Sequence, residues 1–150
     1  MSNNMVPVEI RGILPDHSAW AIFVGNSEKV IAIQVEHSMG KIISMFLHGA
    51  PKERPLTHDL MTSTLKGFGI TIERVVITEL RESIYFARLI LQQKNELGRK
   101  LVEIDARPSD CIALATALKR PLFVAADLFE QCEDMSKSFE EPNEGGSEME

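Results

Sequence analysis

"ITIERVVITEL" (70–80) and "SIYFARLILQQ" (83–93) are the two stretches that decide which kind of fold this chain adopts. Both are long and rich in β-branched and aromatic residues, which favour strands. Only Arg81 and Glu82 separate them, and a turn this tight joins antiparallel neighbours. The sequence therefore predicts two long paired strands at the centre of a β-sheet.

Further strand and helix patterns lie on both sides of this pair. The other predicted strands are 5–14, 18–26, 29–36, 100–106 and 122–126. The predicted helices are 37–49, about 57–67, about 108–119 and a short piece beginning at Asp127. In the second helix, Leu60, Met61, Thr64 and Leu65 are expected to face the core. Because strands mostly follow strands, we predict an α+β fold, with a mixed, mainly antiparallel sheet of about six or seven strands and three or four helices.

Composition indicates an ordinary soluble domain. Hydrophobic residues make up 44% and charged residues 25% of the 150 residues, and no apolar run approaches the roughly 18–20 residues that a membrane span needs. The opening "MSNNMVPVEIRG" has no signal-peptide pattern. Cys111 and Cys132, the only two cysteines, are then expected to be reduced. We expect a cytoplasmic protein without membrane contact.

The net charge of -6 is concentrated at the C-terminal end. Residues 133–150 carry seven acids and one lysine, whereas residues 1–132 carry fifteen of each sign. We therefore predict a folded domain over 1–132 and a disordered acidic tail over 133–150. The tail would keep the protein soluble or compete with nucleic acid for a basic groove. The neutral body argues against tight nonspecific binding of nucleic acid, although a locally basic cleft stays open.

Two similar stretches begin helices about fifty residues apart. "RPLTHDLM" (54–61) and "RPSDCIALA" (107–115) each set Arg-Pro, a hydroxyl residue and an aspartate before an apolar helical run. Proline, a hydroxyl and a carboxylate are all favoured at helix starts. Capping does not require the arginines or His58, however. A guanidinium beside a helix start can hold a phosphate or carboxylate, or it can pair with the aspartates as a structural clasp.

These two motifs, with "PLFVAADLFE" (121–130), resemble the bifunctional nuclease domain family over roughly residues 5–130. The resemblance implies nuclease action on DNA or RNA. It carries over Arg54, Thr57, His58 and Asp59 from the first motif, and Arg107, Ser109 and Asp110 from the second.

The chemistry of a nuclease suggests roles for these residues. His58, Asp59 and Asp110 would be the catalytic residues, acting as base or as ligands of a divalent metal ion. Arg54 and Arg107 would bind the substrate phosphate, together with Thr57 and Ser109 at the helix starts. The alternative is a noncatalytic binding or regulatory oligomeric module of the same fold. If the two motifs meet in space, Arg54, His58, Asp59, Arg107 and Asp110 border one polar cleft.

The stretch "AIQVEHSMGK" (32–41) departs from the family pattern. Gln34 stands where the family usually has Trp, and Met39-Gly40 stands where it has Glu-Ala. The chain therefore lacks that glutamate unless Glu36 substitutes for it. Assembly is a separate prediction: "SIYFARLIL" (83–91) is partly apolar on both faces, which predicts a homodimer or a higher homo-oligomer.

Overall fold

The computed structural model describes residues 4–138, which form seven strands and four helices. The strands are β1 (Met5–Asp16), β2 (Ala19–Gly25), β3 (Val30–Glu36), β4 (Ile70–Arg81), β5 (Ile84–Asn95), β6 (Gly98–Ala106) and β7 (Leu122–Ala125). The helices are α1 (His37–His48), α2 (Thr57–Gly67), α3 (Pro108–Leu118) and α4 (Ala126–Gln131). Residues 136–138, the last of the described part, are also helical. None of the helices in residues 4–138 is long and apolar enough to cross a membrane.

All seven strands belong to one sheet, in the order β3-β2-β1-β7-β4-β5-β6. Every neighbouring pair is antiparallel except β4 and β7, which run parallel. The predicted α+β fold with a mixed, mainly antiparallel sheet is confirmed. The long β4–β5 pair is also present, but its turn lies one residue later than predicted. Glu82 and Ser83 form it with φ of 51° and 68°, the left-handed pair that a two-residue hairpin turn requires.

The core lies between the sheet and the helices, and α3 is its centre. Five consecutive residues of this helix are buried: Cys111, Ile112, Ala113, Leu114 and Ala115. A helix that is apolar on all sides is stable only when neighbours surround it. Both cysteines are free, and burial raises the pKa of the Cys111 thiol to about 12. That thiol is therefore a neutral core group.

The first residues after α4 hold one edge of the sheet. Asp134 Oδ1 accepts a hydrogen bond from the Val30 amide at 3.1 Å, and the Met135 amide donates to the Val30 carbonyl at 2.6 Å. The beginning of the predicted tail thus bonds the outer side of β3. Residues 139–150 lie outside the described part of the chain, and their disorder stays a prediction.

Two truncations test how much these contacts contribute. A chain that ends at Ser138 keeps both Val30 hydrogen bonds and is expected to keep the full-length thermal midpoint. A chain that ends at Cys132 loses them and is expected to have a lower thermal midpoint, since the two hydrogen bonds tie the segment after α4 to the edge of the sheet. Scanning calorimetry of the two truncated chains measures the difference. Equal midpoints would show that the segment adds no stability.

Candidate functional site at two converging helix starts

Both Arg-Pro motifs begin helices, as the sequence predicts. Pro108 occupies the first turn of α3, where its missing N–H costs nothing, and Arg107 is the extended residue before it. At the start of α2, Asp59 Oδ2 accepts a hydrogen bond from the Leu56 amide at 2.8 Å. The two aspartates are each in a first helical turn, where the helix dipole favours a negative charge.

The two helix starts meet through a cluster of charged side chains. His58 Nε2 lies 2.9 Å from Asp110 Oδ1, and Arg107 Nε donates to Asp110 Oδ2 at 3.1 Å. Arg107 also approaches Glu36, with 3.5 Å between Nη1 and Oε2. We call His58, Asp110, Arg107 and Glu36 the helix-start cluster. It joins α2 to α3 and to the residue that precedes α1.

The charge state of Asp110 fixes the direction of these hydrogen bonds. Burial alone would raise the pKa of Asp110, but hydrogen bonds from His58 and Arg107 outweigh it and hold the pKa below its ordinary value. Asp110 is therefore a carboxylate, which can only accept, so His58 Nε2 carries the hydrogen. The pKa of Arg107 is raised because its partner Asp110 stabilises the cation.

The other ring nitrogen of His58 is enclosed by the protein and has no partner among the described residues. The side chain is only 5% exposed, and Nδ1 is buried without a hydrogen bond among residues 4–138. Phe46 of α1 packs edge-on against the ring, with 6.3 Å between the ring centres. His58 thus lies inside the protein: its Nε2 is hydrogen-bonded to Asp110, and its Nδ1 is enclosed by neighbouring side chains.

The remaining predicted site residues lie outside this cluster. Asp59 is engaged by its own helix start and by Lys52 Nζ at 3.6 Å. Arg54 is exposed and makes no hydrogen bond or ion pair with any residue that the structure describes. Thr57 is exposed on α2 and Ser109 is buried in α3. Of the five residues expected around one cleft, the contacts unite His58, Arg107 and Asp110, but not Arg54 or Asp59.

These residues do not fit the divalent metal site considered from the sequence. No group of three or more His, Cys, Asp or Glu side chains between residues 4 and 138 is arranged to hold a metal ion. The cluster offers only His58 and Asp110 as convergent ligands, and both oxygens of Asp110 already accept hydrogen bonds. Asp59, the third predicted ligand, is committed to its own helix start.

The inward face of α2 differs from the prediction. Leu60 is 63% and Met61 38% exposed, so neither packs in the core. Thr64 is exposed as well, so of the four predicted residues only Leu65 faces inward, and His58 and Thr62 complete the inward stripe. The His58–Asp110 hydrogen bond fits a rotation of the helix about its axis in which the imidazole faces α3 and Leu60 and Met61 lie on the outer side. A hydrophobicity pattern counts histidine as polar and cannot foresee this rotation.

This rotation opens an apolar groove between α2 and β6, which we call the α2–β6 groove. Its volume is about 770 Å³. Its apolar wall is lined by Leu60, Met61, Leu65, Leu89, Leu91, Ile104 and Leu114. Its polar end is lined by Thr57, His58, Asp105, Arg107 and Asp110. An apolar cavity of this size with a few converging polar groups is typical of a binding site. In the sequence, only the apolar residues of α2 could have indicated this groove.

Glu36 and Met39 occupy the stretch that departs from the family pattern. Met39 is 5% exposed and packs in the core, so its position provides no polar group. Glu36 precedes α1 and reaches Arg107 from the exposed side. A carboxylate therefore does approach the second motif, but it comes from Glu36 and not from position 39, where the sequence resemblance implies a glutamate.

Two features define the class of this protein. One is the mixed seven-stranded sheet, and the other is the pair of helix starts that a buried histidine, a carboxylate and an arginine join. The bifunctional nuclease domain matches residues 22–137, and the chain belongs to that family. An uncharacterised protein of Mycobacterium tuberculosis is 29% identical over 99 residues, which cover 66% of this chain and 56% of that protein. Bifunctional nuclease 1 of Oryza sativa subsp. japonica is 25% identical over 125 residues, covering 83% of this chain and 37% of the rice protein. The chain thus spans little more than half the length of the first relative and less of the second.

Proposed function

We propose that this chain is a noncatalytic, homo-oligomeric binding module of the bifunctional nuclease domain family. The α2–β6 groove is its binding surface, and the helix-start cluster fixes α2 against α3 along one side of that groove. The burial of His58 carries this proposal: the imidazole is 5% exposed, and neither ring nitrogen is free to reach a substrate.

Hydrolysis would require a different arrangement. A general base must reach the proton that it removes, directly or through one water molecule. His58 Nε2 instead donates to Asp110, and both Asp110 oxygens accept from its own chain. The one catalytic carboxylate left from the sequence prediction, Asp59, bonds the Leu56 amide. The cluster therefore functions best as a structural link between helices.

Nuclease activity is the second candidate function, and the exposed arginines favour it. The Arg107 side chain is 59% exposed above Asp110, and Arg54 is exposed in the connection before α2. Guanidinium groups at helix starts suit phosphate. DNA or RNA would then be the substrate, held by Arg54, Arg107, Thr57 and Ser109, with His58, Asp59 and Asp110 as the reacting residues. This candidate requires the cluster to open when substrate binds.

A cleavage assay separates the two functions. Labelled single- and double-stranded DNA and RNA oligonucleotides are incubated with Mg²⁺ or Mn²⁺ and equal amounts of wild type or Arg107→Ala. We expect the same background cleavage from both proteins, because Arg107 acts in a structural contact. Arg54 would also bind the substrate phosphate in a nuclease, so Arg54→Ala tests the same alternative, and we expect unchanged background cleavage from it as well. Cleavage by the wild type that falls at least tenfold in Arg107→Ala would establish the nuclease instead.

The binding module has a positive test of its own. The fluorescence of 1-anilinonaphthalene-8-sulfonate rises when the dye enters an apolar site, and the α2–β6 groove offers one of suitable size. Wild type is expected to bind the dye, and Met61→Glu, which places a charge on the groove wall, to bind it several times more weakly. Leu97→Glu, in the exposed β5–β6 turn, is the matched control. Equal dye binding by all three proteins would contradict the groove as a binding surface.

A further inference from the structure

The described residues of the chain form hydrogen bonds along the β3 edge of the sheet but not along the β6 edge. At the β3 edge, the segment after α4 bonds both the N–H and the carbonyl of Val30, and the Tyr85 hydroxyl donates to the Ala32 carbonyl at 3.3 Å. At the β6 edge, no hydrogen bond from any described residue reaches the outer side of the strand. An uncovered edge presents backbone donors and acceptors to any strand that can pair with it.

The uncovered edge is also apolar. On β6, Leu101 is 47%, Val102 39% and Ile104 40% exposed. Val102 and Ile104 lie opposite Leu91 and Leu89 of β5, so they face the helices and continue the wall of the α2–β6 groove. Leu60 and Met61 of α2 expose further apolar surface across that groove. Apolar surface that is continuous across two elements marks an interaction site more often than isolated exposed residues do.

We propose that a second copy of this chain pairs with β6 in antiparallel fashion, about a twofold axis at Val102. The inference rests on the proposed oligomeric module and names its interface. Residue 102 is the midpoint of β6 (Gly98–Ala106), so this register pairs the strand along its whole length. Two sheets of seven strands then become one continuous sheet.

The charges along β6 fit this register. With the axis at Val102, Arg99 of each copy lies opposite Asp105 of the other, which gives two opposite-charge pairs. Within its own chain Arg99 already bonds Glu73 and Gln92, so the partner's Asp105 would extend an existing charge network. An axis at Glu103 would place two glutamates opposite each other, and an axis at Leu101 would leave the end of the strand unpaired. An axis at Leu101 would also set Arg99 opposite an acid, Glu103, so the charges exclude only the axis at Glu103, and full pairing selects Val102 over Leu101.

The second copy also completes the α2–β6 groove. In this register Ile104 lies opposite Lys100 of the other copy, on the side of the sheet that faces the helices. The aliphatic part of a lysine side chain covers apolar surface while its ammonium stays in water. The open side of each groove is thus closed by the other copy's β6, and the binding surface of one chain alone is incomplete.

Disulfide trapping tests the register. In a Cys132→Ser background, Val102→Cys places two thiols opposite each other at the axis, where facing Cβ atoms in paired strands are about 4.5–5.5 Å apart. Mild oxidation is expected to convert most of Val102→Cys to a covalent dimer on a nonreducing gel. Leu97→Cys, fully exposed in the adjacent turn, is the control and should stay mostly monomeric. Faster trapping of Leu101→Cys than of Val102→Cys would overturn this register.

A charge exchange tests the interface without a covalent bond. Arg99→Asp and Asp105→Arg each place like charges opposite each other and should weaken dimerisation about tenfold in analytical ultracentrifugation. The double variant restores opposite charges and should recover most of that loss. A monomeric wild type at micromolar concentration, or no recovery in the double variant, would contradict the proposal. Dye binding that persists in a monomeric wild type would refute this interface while leaving the binding function intact.

Discussion

Asp110→Ala is expected to lower the free energy of unfolding by about 2–4 kcal/mol. The change leaves the His58 Nε2–H buried without an acceptor, and an unsatisfied buried donor costs about 1–3 kcal/mol. It also removes a carboxylate from the first turn of α3, which contributes roughly 0.3–1 kcal/mol. Urea denaturation followed by far-ultraviolet circular dichroism measures the loss.

Arg54→Ala is the matched control for this experiment. Arg54 belongs to the equivalent Arg-Pro motif but is exposed and makes no bond with the described residues, so its removal should change stability by less than about 0.5 kcal/mol. A small effect in both variants would mean that the helix-start cluster does not stabilise the fold. The cluster would then be better explained as a binding or catalytic site than as a structural link between the helices.

Acid pH should weaken the same interaction. The pKa of Asp110 lies below its ordinary value in the folded protein, so the folded state binds this proton less readily than the unfolded chain. The stabilisation is complete above the unfolded pKa, roughly 3.9, and is lost as the pH falls through the lower folded pKa. The stability difference between wild type and Asp110→Asn should therefore shrink below about pH 4. A difference that is constant down to pH 2 would contradict an ionised Asp110.

The regular elements were predictable because local pattern and tertiary structure agree in them. The β4 and β5 sequences are apolar and β-branched over their full length, and a short turn leaves antiparallel pairing as the simplest arrangement. The start of α3 was equally clear, since Pro108 fits only the first helical turn. The displacement of the β-turn to Glu82 and Ser83 was not visible, because both residues are non-glycine residues with positive φ.

The candidate site was predictable in part. The repeated Arg-Pro motif correctly drew attention to His58, Arg107 and Asp110, which are brought together by the pairing of α2 with α3. It could not show that Asp59 bonds its own helix start, since the two aspartates have the same local sequence context. The difference arises in three dimensions: only Asp110 has a histidine from another helix within reach.

The α2–β6 groove depends on that same difference. His58 replaces an aliphatic side chain in the inward stripe of α2, and Leu60 and Met61 consequently face outward. The polar contact at the helix start thus determines where apolar surface is exposed. Asp110→Ala should therefore both destabilise the fold and weaken dye binding in the groove. If Asp110 were only a local helix cap, its loss would lower stability without changing dye binding.

Gly40→Ala is expected to destabilise the protein by about 1–3 kcal/mol, although alanine is the better helix former. A Cβ atom at this position would lie 2.3 Å from Trp20 Cγ and 2.6 Å from Trp20 Cβ. The second contact is the important one, because the base of a side chain cannot move without the strand that carries it. Trp20 is held further by a hydrogen bond from its Nε1 to His37 Nδ1 at 2.9 Å.

Gly67→Ala is the control, since a Cβ atom there meets nothing within 4 Å. It should be neutral or slightly stabilising, because alanine is favoured over glycine in a helix by up to about 1 kcal/mol. In a Trp20→Gly background, which removes both the Cβ and the Cγ atom at position 20, Gly40→Ala should lose most of its cost. Thermal unfolding followed by circular dichroism of wild type, the two single variants and the double variant measures this coupling. Equal effects of the two glycine changes would mean that α1 moves away from β2 freely. A large coupling would show instead that Trp20 of β2 requires glycine at position 40. Met39-Gly40, where the sequence resemblance implies Glu-Ala, then provides a core methionine and a tryptophan contact in the place of a polar group.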